Sequence, residues 1–191
     1  MDYKAYTERY LEETYEIMKK IDKNDIVKAI EILAALKKSN GRLFILGVGG
    51  SAANASHAVN DFRKLAGIET YAPTDNVSEL TARTNDEGWN TIFYKWLETS
   101  RLNEHDVLLI LSVGGGSETI SLNIKEAIDL AVTKNSKIVA IVSRDGGYAK
   151  KNADACVLIP VVAEERITPH AEGWQGVVWH LIVNAIASKG E

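Results

Sequence analysis

The chain is poor in the residues that build covalently stapled or secreted scaffolds. It has one cysteine, Cys156, in 191 residues, which excludes an intrachain disulfide framework and a cysteine-rich zinc module. The apolar neighbours Val157 and Leu158 mark Cys156 as a small buried hydrophobe, and the expected compartment is a reducing cytoplasm. No apolar run approaches the roughly 20 residues that cross a bilayer. Met1 to Asn24 mixes charges with Tyr and Leu, so neither a membrane span nor a signal peptide is expected. Charge of one sign is missing too: 22 Lys+Arg against 26 Asp+Glu gives a formal charge of -4, and no global field for nucleic acid or an anionic membrane. Any anion must therefore be held by a local site. What is present is 46% hydrophobic, enough for a single domain over residues 1–191.

Two helices are expected first. Tyr3 to Ile21 carries a broad apolar face of Tyr6, Tyr10, Leu11, Tyr15, Ile17 and Met18, and Asn24 is expected to cap a second helix over Asp25 to Leu36. From Arg42 onward, short apolar runs at Leu43 to Leu46, Val107 to Leu111, Lys137 to Val142 and Cys156 to Val161 alternate with helical stretches. Those stretches are Ser51 to Ala66, Asp86 to Ser100, Glu118 to Val132 and Pro169 to Ala187. A further short strand is expected near Glu69 to Tyr71. The runs lack polar alternation, so both faces of the sheet are covered. The pattern predicts an α/β fold with an open doubly wound parallel sheet over 42–191, preceded by a helical hairpin over 1–38, and ligands beyond the carboxyl ends of the strands.

Two strand-to-helix loops suit an anion. The first, Gly47-Val48-Gly49-Gly50-Ser51-Ala52, opens a helix where glycines let the backbone approach a ligand at a positive terminus. It also fits G-x-G-x-x-A, the dinucleotide pattern, with Glu69 near the expected offset. In a dinucleotide site, however, that acid ends an apolar strand, and Phe62 to Gly67 reads as a finishing helix. The second loop, Ser112 to Thr119, gathers the hydroxyls of Ser112, Ser117 and Thr119 around Gly114, Gly115 and Gly116. Such a loop holds a phosphate monoester with neutral donors, and without a Gly-Lys-Ser/Thr it is not a nucleoside triphosphate loop. Asn85-Asp86-Glu87-Gly88 reads either as a helix start or as a loop from which Asp86 touches a polyol.

Four side chains make a candidate metal set. His57 and Asp61 stand four apart on one helix face, and Glu172 and His180 stand eight apart on the last helix, with Gly176 between them expected to leave room. Two nitrogen and two carboxylate donors suit Zn2+, while surface ion pairs or core histidines are the plainer alternative. His170, at a helix start, is expected to cap or face solvent, and His105 lies in a polar turn. Trp89, Trp96, Trp174 and Trp179 are expected to pack in the core or an interface.

The ordered series of paired N-terminal helices, Gly47 to His57, Asn85-Asp86, Ser112 to Ser117, Asp145-Gly146-Gly147 and a last helix with His180 resembles the phosphoheptose isomerase family of SIS-domain proteins. The resemblance covers nearly the whole chain. It implies interconversion of sedoheptulose 7-phosphate and D-glycero-D-manno-heptose 7-phosphate by an aldose-ketose isomerase with one zinc ion per site. It also implies a homotetramer cored by the N-terminal helices, with sites between subunits. By position, Gly49, Gly50, Ser51, Asn85, Asp86, Ser112, Gly114, Gly115, Ser117 and Thr119 would bind substrate and phosphate. His57, Asp61, Glu172 and His180 would hold metal, with Asp61 and His180 as base and acid. The chain departs from the family pattern at Val48 for Asn, Gly114 for Ser, Asp61 for Glu and Glu172 for Gln. Two other outcomes stay open: an isomerase for a different sugar phosphate, and a non-catalytic SIS-fold adaptor.

Overall fold

The computed structural model describes residues 1–188, so the last three residues of the expected 1–191 unit lie outside it. Helices α1 (Tyr3–Lys20) and α2 (Lys23–Ser39) come first, joined through Ile21 and Asp22, and do not pack along each other as the expected hairpin would. Asp22 caps α2 by accepting from the Asn24 N–H at 2.8 Å, which moves the cap two residues upstream of the expected Asn24. A carboxylate suits that place because it meets both the free amides and the helix dipole. Ile17 of α1 is fully buried, contributing about 1.5–3 kcal/mol relative to exposure. It joins Ile26, Ala29 and Leu33 of α2 in the core beneath the sheet.

The sheet contains β1 (Leu43–Leu46), β2 (Thr70–Tyr71), β3 (Val107–Leu111), β4 (Lys137–Val142) and β5 (Ala155–Leu158), all parallel, in the order β2-β1-β3-β4-β5. β1 and β3 are buried throughout, as expected of strands covered on both faces. One side carries α1, α2, α3 (Gly50–Asp61) and α8 (Ile167–Ala187); the other carries α5 (Ile92–Thr99), α6 (Leu122–Thr133) and α7 (Gly147–Asn152). β1 and β3 are neighbours whose onward connections run to opposite sides of the order. That is the switch point at which a crevice opens beyond the strand ends.

Several boundaries correct the sequence reading. Of the expected helix Asp86 to Ser100 only α5 (Ile92–Thr99) is α-helical in full; an unexpected helix, α4 (Val77–Glu87), ends where it was to start, and Gly88 with φ +87 separates the two. Asn85 and Asp86 therefore end a helix rather than start one. The third crossover helix begins at Leu122, because Ser117 to Ser121 are used to build the loop before it. The short α7 went unread: six residues are too few to show a helical period.

A candidate metal and phosphate site

α3 starts directly after β1 and lies against α8, and Asn54 ties the two by donating to the Glu172 carbonyl at 2.9 Å and to Gln175 Oε1 at 3.2 Å. This contact brings together residues far apart in sequence. His57, Asp61 and His180 present ligand atoms that all lie within 4.8 Å of one another. Asp61 Oδ2 is 3.9 Å from His57 Nε2 and 3.7 Å from His180 Nε2, while Asp61 Oδ1 accepts from Asn60 Nδ2 at 2.8 Å. The carboxylate is thus divided, with one oxygen held and the other turned to the two imidazoles.

His180 is oriented from behind. Its Nδ1 lies 2.7 Å from the Gly176 carbonyl, an acceptor only, so Nδ1 carries the hydrogen and Nε2 is left facing Asp61. Trp179, fully buried, stacks on His180 and meets the His57 ring edge-on at 4.8 Å between centroids. That indole was assigned to packing by the sequence, but its place as a plate under both imidazoles depends on the α3–α8 contact. Gly176 corrects the expectation for it: a Cβ there would meet only Asn54 Oδ1, at an ordinary 3.7 Å, so its carbonyl matters and its small size does not.

Glu172, the expected fourth ligand, is not brought into this group. It sits eight residues, about 12 Å along the axis, before His180. Its carboxylate lies so close to Gly50 that a Cβ there would fall 2.3 Å from Oε2. The favourable electrostatics of a carboxylate at the α3 N-terminus account for that position. The three remaining donors still fit a zinc ion. Two ligands at about 2.05 Å in tetrahedral array are roughly 3.3 Å apart, and separations of 3.7 and 3.9 Å between atoms that do not bond each other are near that. Three protein donors with further positions open is the pattern of catalytic rather than structural zinc.

A cavity of ≈ 540 Å³ opens beyond the carboxyl ends of β1, β3 and β4. Of the expected phosphate residues it is lined by Ser51, Ser112, Gly114 and Ser117, together with Val48. Gly49, at φ +61, supplies the turn into α3, and its carbonyl accepts from the Ala52 and Ala53 amides. The hydroxyls have structural duties. Ser112 Oγ accepts from the Gly115 amide at 3.0 Å, and Ser117 Oγ accepts from the Thr119 and Ile120 amides at 3.2 and 3.0 Å. Each hydroxyl keeps its own hydrogen to donate. Gly115 and Gly147 interlock the β3 and β4 loops, since a Cβ on either would meet a carbonyl oxygen of the other loop at 2.1 Å. Asn85 and Asp86 do not line this cavity; they are exposed on α4 and bonded to each other. Arg144, Tyr148, Lys151 and Thr168, with Ile120 and Ser121, also line the cavity and are not singled out by the sequence. The Asp145-Gly146-Gly147 turn is the one sequence signal near Arg144, Tyr148 and Lys151.

Two histidines lie outside the site. His105 is exposed, as its polar turn implies. His170 is a correction: it is buried, stacked on Tyr10, with Nε2 2.8 Å from Glu13 Oε2. Arg166 also binds Glu13, bidentately at 2.6 and 2.7 Å, and with His170 holds that carboxyl down to about 2. This cluster clamps α1 to the start of α8. Cys156 is partly buried, and loss of water pushes its thiol up to about 11, so it is inert at neutral pH.

A SIS domain model matches residues 6–143. The phosphoheptose isomerase of Sulfurimonas denitrificans is 30% identical over 97% of this chain and 96% of its own length. That of Cytophaga hutchinsonii is 31% identical over 73% of this chain and 72% of its own. The chain belongs to the phosphoheptose isomerase family of SIS-domain proteins. The solved phosphoheptose isomerase from Neisseria gonorrhoeae, 26% identical and covering 95% of both chains, superposes with a TM-score of 0.80. Family membership makes the chain an isomerase, and its sheet order and crevice agree with that fold. Among the described residues, no helix is long and apolar enough to cross a membrane.

Proposed function

We propose that the protein is an aldose-ketose isomerase that interconverts sedoheptulose 7-phosphate and D-glycero-D-manno-heptose 7-phosphate. The observation that carries this reading is the convergence of His57 and Asp61 of α3 with His180 of α8, α3 being the helix whose first turn, at Ser51, lines the Ser/Gly cavity. His57 lies six positions after Ser51, about 9 Å along α3. An open-chain seven-carbon sugar phosphate, with C–C bonds of about 1.5 Å, spans a comparable length. Its phosphate end would rest on Ser51, Ser112 and Ser117 and its carbonyl end at the imidazoles, making the proton transfers effectively intramolecular.

The proton on the carbon beside the carbonyl passes to Asp61, whose Oδ2 faces the reacting end while Asn60 steadies Oδ1. His180 Nε2 exchanges the proton at oxygen, its ring fixed through Nδ1 by the Gly176 carbonyl. The same proton returns to the neighbouring carbon, so no oxidant or reductant is consumed. A zinc ion held by His57, Asp61 and His180 would supply Lewis-acid polarisation of the carbonyl and adjacent hydroxyl; Asp61 and His180 would carry a proton only while off the metal, so the ligand and acid-base roles compete at Asp61 Oδ2 and His180 Nε2.

Val48 and Gly114, both lining the cavity, favour a second reading: the same chemistry on another sugar phosphate, since two polar side chains of the family pattern are absent. An adaptor has no need of the acid, base and metal donors. We also propose self-association, expected as a homotetramer, because α1 leaves Tyr3, Leu11, Tyr15 and Met18 exposed on one helix. The test is incubation with sedoheptulose 7-phosphate and a panel of hexose and pentose phosphates, with product analysis. Turnover of the heptulose supports the first reading, turnover of another member alone supports the second, and none at all removes the enzyme reading.

A further inference from the structure

Arg144 and Lys151 line the cavity from the β4 side, Arg144 in the loop after β4 and Lys151 on α7. Among the described residues, neither side chain makes an ion pair or a hydrogen bond. The acids of the same lining are occupied: Asp145 accepts from the Gly147 amide at 3.1 Å, and Glu118 lies 3.7 Å from Lys125. The Tyr148 hydroxyl donates to Asp129 at 2.5 Å and is committed as well. Two uncommitted cations therefore face the same space as the Ser51, Ser112 and Ser117 hydroxyls.

The backbone adds a second observation. Arg144 is held at φ +55, a left-handed conformation that a long side chain adopts at a cost. The next residues explain why it is tolerated. Gly146 donates to the Ser143 carbonyl, and the α7 amides of Tyr148 and Ala149 donate to Gly116 and Gly115, which locks the turn. Glycine would satisfy that φ without strain, yet the position carries an arginine that lines the cavity.

We infer that Arg144 and Lys151 are the charge-bearing half of the phosphate site, selecting a dianionic phosphate monoester over a neutral sugar or a monoanionic diester. The inference rests on the reading of this cavity as the phosphate end of an isomerase site. Neutral donors and the α3 terminus alone discriminate weakly between one and two negative charges, whereas paired cations at short range distinguish them and let an arginine fork engage two phosphate oxygens.

The experiment compares wild type with Arg144→Gly, Arg144→Lys and Lys151→Gln. Calorimetric titration with inorganic phosphate and steady-state kinetics with the sugar phosphate turned over supply the readouts. Arg144→Gly relieves the left-handed backbone, so its melting temperature is expected to hold or rise. Expected are a loss of phosphate affinity and a rise in KM of about tenfold or more for Arg144→Gly, partly restored in Arg144→Lys, with a smaller loss for Lys151→Gln. The fall of kcat/KM with added salt should also flatten in the variants. Phosphate affinity and KM unchanged in both Arg144→Gly and Lys151→Gln overturn the inference while leaving the isomerase reading in place. A wild-type protein that binds no phosphate and turns over no sugar phosphate overturns both.

Discussion

Asp61 Oδ2 and His180 Nε2 lie 3.7 Å apart, beyond a hydrogen bond but close enough for one small group to touch both. The two residues come from α3 and α8, 119 positions apart in the chain, and neither atom has another side-chain partner within hydrogen-bond distance among the described residues. Replacing His180 removes the only proton carrier of this pair that the backbone orients. For His180→Gln, kcat is expected to fall by about 10²- to 10⁴-fold. The side chain is 45% exposed, so the melting temperature should stay within a few degrees. Turnover equal to wild type would exclude His180 from the reaction.

Metal dependence follows from the same three donors. Chelation is expected to abolish activity and zinc to restore it, and elemental analysis should find about one zinc per chain. His57→Ala should lose bound zinc as well as activity, because two protein donors hold the ion far less tightly than three. A metal-free preparation with full turnover would leave His57, Asp61 and His180 with acid-base roles alone.

Ser117 both faces the cavity and accepts from the Thr119 and Ile120 amides. Ser117→Ala removes a donor to the ligand and leaves two loop amides without their acceptor. KM is expected to rise roughly tenfold, with stability lowered by about 1 kcal/mol. Denaturant titration and saturation kinetics measure the two effects separately, and unchanged KM would take Ser117 out of the site.

The Glu13 clamp sets an acid limit. Its carboxyl is held from the ordinary 4.5 down to about 2 by hydrogen bonds from Arg166 and then His170. A depressed folded value means the contribution is complete above about pH 5 and is lost as the pH falls toward 2, when Glu13 takes a proton and releases α1 from α8. Glu13→Gln should be less stable than wild type at pH 6, and the difference should shrink as the pH falls to 2. Melting curves that stay parallel across that range would show that the pairing contributes nothing.

The strands were legible because their chemistry is local. β1 and β3 are uninterrupted apolar runs and β4 is one after its first residue, Lys137; all are closed by Gly or Ser and fold where those runs stand. The two Ser/Gly loops were legible for the same reason. The misreadings occurred where a single residue or a distant partner decides. Gly88 ends the unexpected helix α4 where the sequence predicts a helix to start, and His170, placed at a helix start, is buried by Tyr10 and Glu13 from a helix more than 150 residues away. Arg144 and Lys151 carry no signal of their own because a cation in a turn or on a short helix looks the same in sequence whether it faces solvent or a cavity.

Spacing along the chain by itself set the α/β order, the loops at the strand ends and the shared face of His57 and Asp61, since backbone geometry fixes where residues four apart must point. Which part of α8 meets that face was decided only in three dimensions. Packing of α3 on α8 delivers His180 to Asp61 and sets Glu172 beside Gly50, because which turn of α8 meets which turn of α3 is fixed by contacts such as Asn54 with Glu172 and Gln175, between residues more than 100 positions apart.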